Sequence, residues 1–159
     1  MRSVKRQPVG GREPAGLPCL CGALRQASRA VTRIYDEEFR AFGLRAGQYG
    51  LLRLLERSGE VRQRDLGELA ALDETTLTRN LRPLEKGGWV AIRAGGDRRE
   101  KLVAITEAGR SKVEEARPAW ARAQDRIRGA LPDGAWDLLF EVLPGLTRAA
   151  LSPRPVGDS

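Results

Sequence analysis

Between Arg62 and Lys101 the spacing of apolar residues changes period, and that change leaves few folds open. From Gln63 to Leu72, the residues Leu66, Leu69 and Ala70 fall at i, i+3 and i+4, one stripe of a short helix. Arg62, Arg64, Asp65 and Glu68 lie largely off that stripe. Asp73 then offers a side-chain acceptor where a new helix needs an N-cap, and Glu74 suits the positive end of its dipole. A second helix, Glu74 to about Lys86, sets Leu77, Leu81 and Leu84 at i, i+4 and i+7. Gly87 and Gly88 end it as a left-handed C-cap would. Two short apolar runs follow, Trp89 to Ile92 and Leu102 to Ile105, which read as strands. Between them lies a hairpin tip, Arg93 to Lys101, with its own turn glycines and four basic residues among nine. Two helices, a tight turn and a basic hairpin make a winged helix-turn-helix.

If the three leucines of the second helix face the protein, its other side carries Thr75, Arg79, Arg82 and Lys86, flanked by Thr76 and Thr78. Hydroxyls and guanidinium forks match the acceptors of base edges and phosphate oxygens, so this face suits the major groove of double-stranded DNA. An arginine at the wing tip, Arg98 or Arg99, can enter the minor groove or hold phosphate, with Asp97 orienting the guanidinium beside it. The plain alternatives are a solvated polar face and an ordinary exposed hairpin. A winged helix that binds protein and no longer DNA is the competing class.

Net charge alone does not decide this. The 159-residue chain is formally +7 with a pI near 10.2, which favours a polyanionic partner. Yet from Glu60 to Lys101 there are nine Lys/Arg against eight Asp/Glu, so the DNA reading rests on which face the arginines occupy. Histidine is absent, which removes the commonest general base and a favoured metal ligand. Two cysteines are too few for a disulfide framework or a four-thiolate zinc site, and a thiol enzyme would need a resolving partner and a cleft. The expectation is a non-enzyme without a cofactor, cytoplasmic, with no apolar run of bilayer length.

The flanks complete the plan. Residues 1–18, rich in Gly, Pro and Arg, read as a disordered basic arm, and residues 152–159 as a short tail. A helix is expected from Cys19 to Phe42, with Leu20, Ala23, Leu24, Ala27, Val31, Ile34 and Tyr35 on its apolar stripe and Gly43 closing it. Arg25, Arg29 and Arg33 form a row along it. A second helix spans Leu44 to Arg57, and Val61 can add a short strand beside the wing. Thr106 can cap a long helix to about Ala130, with Val113, Ala116, Trp120, Ala123 and Ile127 buried and a bend at Pro118. A last helix, about Gly134 to Ala150, repeats Trp136, Leu139, Phe140, Leu143 and Leu146 on one side and carries Pro144 as a second bend. The first helix and the last two hold more apolar surface than one small winged domain can cover. A two-fold dimer would bury it and set two heads about one DNA turn apart, which makes a palindrome the natural target. An intramolecular core is the alternative.

Leu66-Gly67-Glu68-Leu69-Ala70, Leu77-Thr78-Arg79, Leu84-Glu85-Lys86-Gly87-Gly88, Asp97-Arg98-Arg99 and Ile105-Thr106-Glu107-Ala108-Gly109-Arg110 stand in order, and this series resembles the MarR family of bacterial transcription regulators. The likeness extends from about Cys19 to Leu151. It implies a mainly α (α+β) fold: a single domain over 19–151, with 44–105 as the winged helix-turn-helix and 19–43 and 106–151 as dimerisation helices. It also implies a homodimer on a palindromic operator, a repressor in the usual case.

The resemblance bears on release from DNA as well. Cys19 and Cys21 open the first helix, where the dipole favours an anion. In the peroxide-sensing branch of the family a cysteine near this point is oxidised and released from tyrosine hydroxyls. Aligning on Ser28, Arg29 and Ala30 and on Gln48 and Tyr49 places Cys21 at that cysteine and Tyr35 at one tyrosine. Two other tyrosines of that pattern fall on Ala46 and Arg25. The other route is a small aromatic effector between the dimer helices and the head.

Overall fold

The computed structural model describes residues 19–97 and 100–151. The expected basic arm over 1–18, the tail over 152–159 and both wing arginines, Arg98 and Arg99, lie outside the described residues.

Helix α1 spans Leu20–Phe39, capped by Cys19, whose sulfur accepts the Gly22 N–H. Its last turn tightens to a 3-10 helix, Arg40–Phe42, and Gly43 at φ 67° turns the chain away. Helix α2, Ala46–Ser58, begins under α1: the Ala46 N–H donates to Asp36 Oδ1 at 2.7 Å. Strand β1 is only Val61–Arg62, and helix α3, Gln63–Ala70, follows at once.

The turn into helix α4, Glu74–Lys86, is tight because Gly67 lets the two helices approach. A Cβ there would meet the Leu72 carbonyl at 3.2 Å and Leu77 Cδ2 at 3.4 Å. This corrects the expected stripe of α3. Gly67 takes the buried place beside Leu66, and Leu69, expected inside, is turned out and 57% exposed.

At the end of α4, Gly88 at φ 71° closes a Schellman pair. Trp89 N–H reaches the Leu84 carbonyl and Gly88 N–H the Glu85 carbonyl, both at 2.9 Å. Strands β2 (Val90–Ala94) and β3 (Lys101–Ile105) form the wing, antiparallel, with Val90 opposite Ile105 and Ile92 opposite Val103. Strand β1 joins the other edge of β3, giving the order β1-β3-β2. Thr106 locks the next joint: its hydroxyl donates to the Gly88 carbonyl at 2.6 Å and accepts the Gly109 N–H at 3.0 Å. It caps helix α5, Glu107–Ala130, and helix α6, Ala135–Leu151, ends the described chain. Both run through their prolines, Pro118 and Pro144.

One core sits beneath the wing and α4. Leu51, Leu52 and Leu55 of α2 meet Leu66, Leu77, Leu81, Leu84, Val90, Val103 and Ile105, with Phe39, Tyr49 and Val113 closing its far side. The rings of Phe39 and Tyr49 lie 4.6 Å apart. Away from this core much of the apolar surface is uncovered. On α5, Val113, Ala116 and Ala123 are buried as expected, whereas Trp120 is 38% exposed. On α6, Leu138, Leu139, Phe140, Val142 and Leu143 all stand out in solvent, as do Leu20, Leu24 and Val31 of α1.

Candidate nucleic-acid interface

The site is built on α4, and its orientation follows from three leucines. Leu77, Leu81 and Leu84 are buried in the core, at most 1% exposed. At 100° per residue, Thr75, Arg79, Arg82 and Lys86 then occupy the opposite side with Thr78 on one flank, and all five are exposed. Thr76 lies on the flank and is engaged. Its N–H and hydroxyl donate to the two oxygens of Asp73 at 2.8 and 2.7 Å, so this expected contact residue holds the cap of the helix. These contacts, the side-chain hydrogen bond first, keep the Asp73 carboxyl below its ordinary value. The cap is therefore ionised at neutral pH and is lost only as pH falls through that lowered value.

Ion pairing sorts the arginines in a way that the near-neutral charge count conceals. Arg62 pairs with Glu100 at 2.5 Å, Arg64 with Glu68 at 3.2 Å, and Arg93 with Glu60 through two contacts of 2.5 and 2.7 Å. The Arg93 hydrogen bond lowers the Glu60 carboxyl. Arg79, Arg82 and Lys86 make no ion pair among the described residues. Among the described residues, the outward face of α4 therefore keeps its three cations available to an outside partner.

Sequence spacing did not reveal two supporting contacts. Gln63 Nε2 donates to Thr78 Oγ1 at 3.2 Å, tying the start of α3 to the exposed side of α4. Asn80 Nδ2 donates to the Thr76 carbonyl at 2.9 Å, bracing the first turns of α4 from within. In the wing, Asp97 is exposed and its carbonyl accepts the Glu100 N–H at 2.9 Å. The expected contact of Asp97 with Arg99 lies outside the described residues. Between wing, α3 and the start of α4 is a cleft of about 820 Å³, lined by Gln63, Gly67, Leu72, Leu77 and Glu100 among others.

The second candidate group is not brought together. Cys19 and Cys21 are both exposed at the start of α1. Tyr35 is fourteen residues further along the same helix than Cys21, about 21 Å away at 1.5 Å per residue. Its hydroxyl donates instead to Gln124 Oε1 of α5. Burial, then the neighbouring Tyr49, raises that phenol. No cluster of His, Cys, Asp or Glu among the described residues could hold a metal ion.

A sequence profile described as the MarR family matches residues 42–100, which run from the end of the 3-10 turn to the wing. The chain is 34% identical over 92 residues to the HTH-type transcriptional regulator YwoH of Bacillus subtilis (strain 168), covering 58% of this chain and 67% of that one. The chain belongs to the MarR family. As a MarR-type chain it is a DNA-binding transcription regulator, and the family is not one of enzymes. The likeness extends beyond the winged segment. The crystal structure of the M. tuberculosis transcriptional regulator MosR in complex with DNA superposes with a TM-score of 0.76 at 30% identity, covering 87% of this chain and 100% of that one. A second B. subtilis relative, the HTH-type regulator YdgJ, is 29% identical over 117 residues, covering 72% of this MarR-family chain and 71% of YdgJ. No helix among the described residues is long and apolar enough to cross a membrane.

Proposed function

We propose that this MarR-family protein is a repressor that binds a palindromic operator as a homodimer, with the outward face of α4 in the major groove. The observation that carries the reading is the disposition of α4. Its leucines are buried, while Thr75, Thr78, Arg79 and Arg82 stand clear with no protein ion pair to hold the two guanidinium groups. Arg98 and Arg99 follow the wing glycines in sequence and serve the minor groove or phosphate, with Asp97 orienting.

The dimer is supported by the apolar surface that one chain leaves wet on α1, α5 and α6. Burying it contributes on the order of 25 cal/mol per Å². MosR supports the DNA reading, since its solved complex contains DNA. Release is assigned either to oxidation at Cys21 or to a small aromatic molecule. Both thiols are exposed to an oxidant. Because Cys21 and Tyr35 are far apart on one helix, any contact between them has to cross between subunits.

The test is Arg79→Ala and Arg82→Ala in a duplex mobility shift across a salt series. An arginine on a base edge contributes about 1–3 kcal/mol, or roughly 5- to 150-fold in affinity, and its loss relaxes specificity at one position. An arginine on phosphate gives a uniform loss and a salt slope shallower by about one. Unaltered affinity and specificity in both variants would overturn the groove assignment, as would absence of any duplex binding at low salt.

A further inference from the structure

Glu100 is tied into the wing loop through both its side chain and its backbone. It follows Arg98 and Arg99 directly in sequence. One carboxylate oxygen pairs with Arg62 Nε at 2.5 Å, and the other accepts the Gly96 N–H at 3.2 Å. Its backbone carbonyl accepts the Gly95 N–H at 2.8 Å, and its own N–H donates to the Asp97 carbonyl at 2.9 Å. Arg62 is the N-cap residue of α3, and its neighbour Gln63 holds Thr78 on the outward face of α4. Polar contacts therefore join the wing loop to the recognition helix, from Gly96 through Glu100 to Arg62 and, across the Arg62–Gln63 peptide bond, from Gln63 to Thr78.

The backbone makes room for this carboxylate. A Cβ built on Gly95 would lie 2.7 Å from Glu100 Cγ and 2.8 Å from its Cδ, overlapping one carboxylate oxygen. Gly95 has no positive φ, and what its missing Cβ leaves room for is the Glu100 side chain.

We infer that Glu100 is a positioning residue for DNA binding: it clamps the wing loop to the start of α3 and so fixes the wing relative to α4. The inference rests on the DNA reading above. It is not required by the fold, because an ion pair whose arginine side chain is 64% exposed contributes little to stability. What makes it testable is the sign. A carboxylate on a surface that meets phosphates repels them, so its removal would by electrostatics alone tighten binding. A clamp predicts the reverse.

The experiment uses the full chain and a duplex selected by the wild type from random sequence. Glu100→Ala is expected to weaken binding about tenfold and to make the salt slope shallower by one or two contacts, with the melting temperature unchanged. Glu100→Gln keeps the shape and one acceptor and should fall between wild type and alanine. Gly95→Ala pushes the carboxylate aside and should match Glu100→Ala, and the double variant should be no weaker than either single one. Equal or tighter binding by Glu100→Ala would overturn the clamp. If the wild type selects no duplex, the DNA reading has failed, and amide exchange still decides the clamp. Faster exchange at Gly96 in Glu100→Ala supports it; unchanged exchange overturns it.

Discussion

Gly109→Ala is expected to destabilise the protein by about 3 kcal/mol, the upper end of the usual cost of overpacking a core. Helix propensity alone points the other way, since alanine is favoured over glycine by about 1 kcal/mol inside a helix. Sterics decide here. Gly109 is buried in the first turn of α5, and a Cβ on it would overlap the Trp89 carbonyl oxygen and lie 2.7 Å from Ile105 Cγ1. Neither neighbour can yield freely. The Trp89 carbonyl accepts the Thr106 N–H at 3.1 Å, the Trp89 N–H closes α4 on Leu84, and Ile105 is in the core. Gly129, in the same helix with nothing within 4 Å of a built Cβ, is the matched control, and its alanine variant should be neutral or slightly stabilising. Urea midpoints of the two variants give the comparison. Equal midpoints would mean that α4, the wing and α5 are not packed as described.

If the proposed dimer packs through α6, Leu139→Asp combined with Leu143→Asp should convert it to a folded monomer. Both side chains are about two-fifths exposed in a single chain, so charge there costs that chain little. Buried against a second copy, two unpaired carboxylates would be prohibitive. Losing the partner also separates the two heads. Joined heads bind a two-part site more tightly than either alone by about 10²- to 10⁴-fold, and operator affinity should fall by that order. Sedimentation gives the mass and a duplex titration the affinity, while Glu141→Gln on the charged side of α6 should leave both unaltered. A variant that still sediments as a dimer would show that this side of α6 is not the interface.

Where one local rule determined the outcome, the sequence was legible. The leucine period of α4 and the glycine pair after it had a single reading, and the core placement of Leu77, Leu81 and Leu84 with the Schellman closure at Gly88 agrees with it. The same holds for Asp73 and Thr106 as caps. Where a long-range approach competes with local period, spacing misled. Leu69 fits the stripe of α3, yet the close crossing at Gly67 rotates it outward. Trp120 fits the stripe of α5, but the described residues cover it only in part and leave it 38% exposed. Within the candidate site, the outward residues of α4 could be read from period alone. The pairings that select which arginines remain available could not be, because Glu60 and Arg93, or Arg62 and Glu100, are more than thirty residues apart.

Selection of bound duplexes from a random pool by the full-length protein is the most direct test of a twinned α4 reader. The expected outcome is enrichment of two inverted half-sites about 10 base pairs apart, centre to centre, the spacing of adjacent major grooves on one side of B-DNA. A pool that shows no enrichment, or enriches one unrepeated half-site, would contradict the account.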